Sequence, residues 1–578
     1  MALGVALCAG PAAAACKLGL IAELPVTMNG LTPIVPAKVN GVDARLIADS
    51  GAFFSMITPG AAAKFGLKSG PLPPYVTVRG VTGDAQMGMT TAKDFTILGR
   101  TLHKVDFLVG GSVLEAWSDG LLGQNVLHIS DVEFDLANGV IRLFQPTDCA
   151  HSLLAYWDKA QPYSVLDIQQ TTIAEPHIKA SASVNGARIT ILFDTGAPWS
   201  ILTLHAAKRS GVTPDSPGVV ASEQAGGIGR RRVDTWIAPF QSFKIGDEEI
   251  RNTRLRIGAI ELADADMLMG ADFFLSHRIY VARGQGKLYF TYNGGPVFRL
   301  DGEQTAPPPV EAAAAPPVPS ADEPKDAGAY NRRGSAFAAR RDFAHAIADF
   351  TRAAELDPKE PEYLFNRAIA RLSAGQPVPA MADLDGALKL KPDNVAGLLM
   401  RGRLRLANKD PVGARVDLDS VARLQPASRL AIAEIYGQAR LFEPSIALSS
   451  QWITDNPKAQ AAEMAAALNA RGWTRALWGK ELDQALADCD QAIRLMPRTA
   501  ALLDSRGLVH LRLGQLDESI ADYDAALRQQ PKIAWSLYGR GLAKLRKGMK
   551  AEGEADLKAA ADVQSSIADE AKGFGIEP

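Results

Sequence analysis

A duplication written into residues 31–300 constrains this chain more than any other feature. Val39-Asn40-Gly41 returns as Val184-Asn185-Gly186, and Ala48-Asp49-Ser50-Gly51-Ala52 returns as Phe193-Asp194-Thr195-Gly196-Ala197. Gly66, after AAAKF, returns as Gly211, after AAKRS, and all three pairs lie 145 residues apart. Further along, Leu121-Leu122-Gly123 and Asn138-Gly139 return as Leu268-Met269-Gly270 and Gln285-Gly286, now 147 residues apart. Two copies of one fold explain this, with two extra residues in the middle of the second. Each copy reads as β-rich, because AKVNGVDARLIADSG and ASVNGARITILFDTG are apolar or alternating runs broken at Asn-Gly, a hairpin signal. Only short helices fit, near Pro59–Phe65 and Leu204–Ser210. The copies are expected over 16–150 and 163–300.

A second repetition has a different period. Gly334, Ala368 and Gly402 are 34 residues apart, as are Pro358, Pro392 and Pro426, and the spacing recurs in Gly507 and Gly541 and in Pro497 and Pro531. Small residues let paired helices approach, bulky residues such as Phe337 and Phe350 fill the space between them, and proline ends the second helix. This pattern resembles the tetratricopeptide repeat and implies an all-α solenoid over 327–567, followed by a tail at 568–578. A degenerate unit is expected at about 427–458 and a cap at about 534–567. Between the two architectures, residues 301–326 (DGEQTAPPPVEAAAAPPVPSADEPKD) read as a semi-rigid, exposed linker. The fold class expected is therefore multidomain, two all-β lobes in a pseudo-twofold pair followed by an all-α repeat solenoid.

Charge and cysteine content exclude several functions. With 62 basic and 64 acidic residues the net charge is −2, which argues against nucleic-acid binding. The four cysteines form no C-x-x-C pair and the histidines no H-E-x-x-H, so neither a metal site nor any cofactor is expected. Residues 1–15 are uncharged and end in alanines, which reads as a signal peptide; an alanine-rich cytoplasmic tail is the other reading. No run is long and apolar enough to span a membrane, so the expected location is periplasmic or secreted. Cys16 and Cys149 flank the first lobe, and in an exported protein a disulfide between them would clamp its ends.

The chemistry is expected where the two copies match. Asp-Ser-Gly-Ala and Asp-Thr-Gly-Ala, each between apolar runs and each followed about 75 residues later by two apolar residues and glycine, resemble the retroviral type of aspartic protease. The resemblance implies that Asp49 and Asp194 meet at a pseudo-twofold interface, that Ser50 and Thr195 bond across it, and that Gly51 and Gly196 permit close approach. Two carboxylates held together share one proton, because like charge opposes double ionisation. Such a pair activates water for attack on a peptide bond. The family's flaps map onto Gly80, Val81, Thr82 and Gly83 in the first copy and onto Gly226, Gly227, Ile228 and Gly229 in the second. The neighbouring Arg230-Arg231-Arg232 reads as a solvated turn. The implied function is an aspartic endopeptidase, a monomer with intramolecular lobe pairing, whose repeats bind a protein partner. The alternative is a scaffold that binds peptides without cutting them. No metal role is assigned to His128, His177 or His277.

Overall fold

The computed structural model describes residues 16–72, 78–81, 83–85, 87–111, 118–157, 163–169, 176–227, 232–262, 264–298 and 323–578. The expected signal segment, most of the expected linker (301–322), and Thr82, Ile228 and Gly229 of the expected flaps lie outside them.

Asn-Gly fixes the first hairpin of each copy. Asn40 and Gly41 have φ of 50° and 80°, and Asn185 and Gly186 have φ of 48° and 79°, the left-handed pair that a two-residue turn needs. They join Thr32–Val39 to Val42–Ala48 and Lys179–Val184 to Ala187–Phe193. Each hairpin then closes into a barrel. In the first copy the ring runs through Thr32–Val39, Val42–Ala48, Gly120–Leu122, Met56–Ile57, Arg100–Val109 and Gly88–Ile97, which pairs back on the first strand. In the second it runs through Lys179–Val184, Ala187–Phe193, Met267–Met269, Ile201–Thr203, Glu248–Gly258 and Val233–Ile245, and closes likewise. Leu46, Phe95 and Phe107 fill the first barrel, and Ile191, Phe243 and Ile257 the second.

A six-stranded sheet joins the lobes, in the order Lys17–Pro25, Val140–Thr147, Asp131–Asp135, His277–Ala282, Lys287–Tyr292 and Ser164–Asp167. Its central pairing, Phe134 opposite Ile279, brings together one strand from each copy. Glu133 is fully buried there, and Arg142 and Arg278 reach it at 2.6 and 2.9 Å while the Tyr156 hydroxyl donates to it at 2.5 Å, so the buried charge is matched. A disulfide links Cys16 to Cys149 at the edge of this region.

The chain divides into compact units at Ala380/Met381, not within the 301–326 linker. The first repeat helix, Ala327–Ala339, explains the shift. Its Ser335 hydroxyl accepts the Met28 N–H at 3.0 Å, its Ala336 and Ala339 are buried in the lobes' core, and Arg332 packs against Gly139. A compositionally separate segment is thus fastened to the first lobe by its leading helix. Phe343–Leu356, Pro361–Ser373 and the start of Pro377–Leu390 complete this unit.

The C-terminal unit consists of helix pairs from Val395–Ala407 to Lys550–Val563. Small residues sit where helices cross: a Cβ on Gly402 would come within 2.9 Å of Leu418, and one on Gly507 within 2.9 Å of Tyr523. Arginine–aspartate pairs brace the crossings, Arg401 with Asp417, Arg471 with Asp488, Arg506 with Asp522 and Arg540 with Asp556. The degenerate unit forms Arg429–Gln438 and Phe442–Asp455, its first helix shortened. The expected tail is instead a helix, Ile567–Lys572, followed by a strap whose Ile576 is buried. Arg440, Arg512 and Arg546 donate to its carbonyls.

Candidate active site

In each lobe the strand ending at the aspartate and the short strand after it lie on either side of a third strand. Val42–Ala48 runs parallel to Gly120–Leu122, and Met56–Ile57 antiparallel to it. The second lobe repeats this with Ala187–Phe193, Met267–Met269 and Ile201–Thr203. The aspartate is thereby hung in a loop from the barrel wall, and its own N–H donates to the adjacent strand: Asp49 to Leu122 at 3.0 Å and Asp194 to Met269 at 2.9 Å.

The loops then cross. The Ser50 N–H donates to Thr195 Oγ1 at 3.0 Å and the Thr195 N–H to Ser50 Oγ at 3.0 Å. The hydroxyls donate onward, Ser50 to the Phe193 carbonyl at 3.0 Å and Thr195 to the Ala48 carbonyl at 2.7 Å. Both residues are fully buried, so all four bonds form away from water. Asp49 Oδ1 accepts from the N–H groups of Gly51 and Ala52 at 2.9 and 2.8 Å. Asp194 Oδ1 accepts from those of Gly196 and Ala197 at 2.9 and 3.2 Å. A Cβ on Gly51 would fall 2.2 Å from Asp194 Cγ, and one on Gly196 would fall 2.3 Å from Asp49 Cγ. Only glycine leaves room for the opposite carboxylate.

The carboxylates are in hydrogen-bond contact. Burial, then the Asp194 charge and the bond with Asp194, push the Asp49 carboxyl well above its ordinary value. Burial also raises Asp194, but the bond with Asp49 and the Gly196 and Ala197 N–H groups oppose the rise. Burial and mutual charge act on the two carboxyls together, so they titrate as one coupled pair.

A second matched device, missed in the sequence, supports these loops. Ser55 gives both its N–H and its hydroxyl to Asn125 at 2.8 and 2.7 Å, and its Oγ accepts the Gly123 N–H at 3.0 Å. Ser200 does the same with Asp272 and Gly270. These pairs obey the same 145- and 147-residue offsets, so the signal was present. Two contacts have no counterpart. Gln124 donates to the Ser50 carbonyl at 2.6 Å where the second copy has Ala271, and His177 bonds the Gly51 carbonyl at 3.1 Å where the first copy has Thr32.

The flap candidates fare differently. Val78–Gly80 and Gly83–Ala85 form a two-stranded hairpin, with Gly80 opposite Gly83. Its Val81 packs on the second lobe with Ile201, Val233, Ile260 and Leu268, and its carbonyl accepts the Glu261 N–H at 3.4 Å. Gly226 and Gly227 follow the strand Val220–Ala225 as irregular chain. Ala52 and Ala197, just beyond the aspartates, belong to two small apolar clusters set apart from the main core. One contains Ile34, Ile47, Met56 and Leu121, the other Ile201 and Leu268. Among the described residues no group of three or more His, Cys, Asp or Glu is placed to hold a metal, and no helix is long and apolar enough to cross a membrane.

Residues 35–126 match the aspartyl protease family model and residues 180–276 the gag-polyprotein aspartyl protease model. The tetratricopeptide repeat model matches 318–361, 331–395, 475–534 and 505–570. The chain therefore carries two retropepsin-like aspartyl protease domains followed by tetratricopeptide repeats. Among solved structures it is similar to a tetratricopeptide repeat protein from Parabacteroides merdae, at 17% identity over 43% of this chain and 96% of that one, with a TM-score of 0.33. It is also similar to the C-terminal part of a repeat protein from Cytophaga hutchinsonii, at 12% identity over 42% of this chain and 98% of that one, with a TM-score of 0.32. No curated protein sequence matches the chain.

Proposed function

We propose that the chain is an aspartic endopeptidase whose single active site is built from both lobes. The observation that carries this reading is the crossed Ser50–Thr195 lock, which holds two buried aspartates against each other. The ionised member of the pair takes a proton from a bound water, and the protonated member gives its proton to the scissile carbonyl oxygen as the water oxygen attacks the carbon. The resulting tetrahedral diol collapses with proton transfer to the leaving nitrogen, and the dyad returns to its starting state. Ser50 and Thr195 are positioning residues and form no covalent intermediate.

The apolar clusters beside Ala52 and Ala197 suit apolar substrate side chains on both sides of the cleaved bond, and the Val81 hairpin suits a flap that excludes water from it. Pairing of the lobes within one chain supports an active monomer. The Cys16–Cys149 disulfide supports export to an oxidising compartment. The repeats serve to bind a protein partner or a large substrate.

A mixed peptide library digested by the mature protein tests this reading. We expect cleavage between apolar residues, blocked by a pepstatin-type inhibitor. Absence of cleavage across acid to neutral pH would overturn it in favour of a peptide-binding scaffold.

A further inference from the structure

In the C-terminal unit the first helices of consecutive repeats pack on one another, and three of them, Ala461–Trp478, Ala500–Leu513 and Ala534–Arg546, border a cavity of about 340 Å³. Its wall includes Asn469, Trp473, Asp504 and Trp535. Asp504 differs from four other buried aspartates of this unit. Asp417, Asp488, Asp522 and Asp556 are each held by an arginine, whereas Asp504, only 9% exposed, accepts from the Ser536 hydroxyl and makes no ion pair among the described residues. Burial of an uncompensated carboxylate is costly. It pushes the Asp504 carboxyl up to about 6, so the group is still ionised at neutral pH.

Asn469 stands at the matching position one repeat earlier, three residues before Gly472 as Asp504 is three before Gly507. Its Oδ1 is buried and has no hydrogen-bond partner among the described residues. The Trp473 and Trp535 rings meet edge to face with centroids 5.4 Å apart, so the cavity is lined by a carboxylate residue, an amide residue and two indoles. A carboxylate held by one hydroxyl, beside an amide oxygen with no donor, calls for a group rich in N–H, the negative charge calls for a cation, and indole faces attract cations.

We propose that this cavity receives the cationic side chain of an arginine or lysine from a protein or peptide partner, its N–H groups donated to Asp504 and Asn469 and its alkyl stem covered by Trp473 and Trp535. The proposal specifies the partner chemistry of the repeats' binding role. It is independent of the peptidase reading, because its readout is binding alone.

The test is calorimetric titration of the full chain near neutral pH with a blocked pentapeptide, acetyl-Ala-Ala-Arg-Ala-Ala-amide, and with the same peptide carrying neutral citrulline in place of arginine. We expect saturable binding of the arginine peptide and at least about tenfold weaker binding of the citrulline peptide. Asp504→Asn should lose about tenfold in affinity while its unfolding temperature stays at or above that of the wild type, since asparagine still accepts from Ser536 and removes the unpaired charge. Asn469→Ala should weaken binding less, by about threefold. Equal binding of both peptides, no binding at about 10 mM peptide, or unchanged affinity in Asp504→Asn would each overturn the proposal. A lower unfolding temperature in that variant would also overturn it, by showing that the fold already compensates the charge.

Discussion

Thr195→Val tests the lock between the lobes with little change in side-chain shape. Thr195 Oγ1 accepts the Ser50 N–H and donates to the Ala48 carbonyl, both across the interface and all fully buried. Valine removes both bonds and leaves a buried donor and a buried acceptor. An unsatisfied buried polar group costs about 1–3 kcal/mol. The Ala48 carbonyl has a second lone pair, so the two losses together amount to about 2–4 kcal/mol. Thr195→Ser keeps the hydroxyl and deletes one methyl, at about 1 kcal/mol. Hydrogen exchange on the full chain localises the effect. In Thr195→Val, peptides spanning 45–55 and 190–200 should exchange faster than in wild type, while those of 500–546 should not change. Peptide cleavage should fall through kcat more than KM, because the aspartates lose their relative placement. Ser50→Ala combined with Thr195→Val should cost less than the sum of the two, as the bonds form one network. Unchanged exchange and activity in Thr195→Val, or equal damage from Thr195→Ser, would refute the reasoning.

Three further outcomes follow from the same geometry. The Asp49 carboxyl is held above its unfolded value, so its contribution to stability is full in acid and is lost as pH rises through the folded value; Asp49→Asn should therefore melt higher than wild type near neutral pH, and this gain should vanish below about pH 3. Reducing Cys16–Cys149, which closes a separation of 133 residues, should cost about 5 kcal/mol of lobe stability in urea unfolding. Val81→Asp places a charge against Ile201, Val233, Ile260 and Leu268, so kcat/KM should fall about tenfold or more with the melting temperature nearly unchanged, as measured by steady-state cleavage and calorimetry.

What was legible in the sequence was whatever the duplication or the repeat period wrote twice. The Asn-Gly turns, the Leu121-Leu122-Gly123 and Leu268-Met269-Gly270 segments, and the small residues at helix crossings all recur at fixed offsets; the turns form at Asn-Gly, and the Leu121-Leu122 strand runs beside the one that leads to Asp49. Ser55–Asn125 and Ser200–Asp272 were equally regular, but single polar residues in a loop carry no pattern until their partners are seen. Asymmetric features could not be read this way. His177 and Gln124 lack counterparts, and the Glu133–Arg142–Arg278 cluster depends on pairing strands from different lobes. The docking of Ala327–Ala339 on the first lobe was hidden for another reason. Its small residues serve the repeat period, and the same residues, Ser335 and Ala336, also face the lobe. Composition marked 301–326 as a boundary, but composition does not report what the next helix touches.

The central claim is that Asp49 and Asp194 form one catalytic unit, and single and double substitution measures this most directly. Cleavage of an apolar-centred peptide is followed for wild type, Asp49→Asn, Asp194→Asn and the double variant from acid to neutral pH. The account predicts a bell-shaped profile for the wild type, near-complete loss in each single variant, and a double variant hardly worse than either, because half a dyad cannot hold the proton and activate the water. Full activity in either single variant would contradict it.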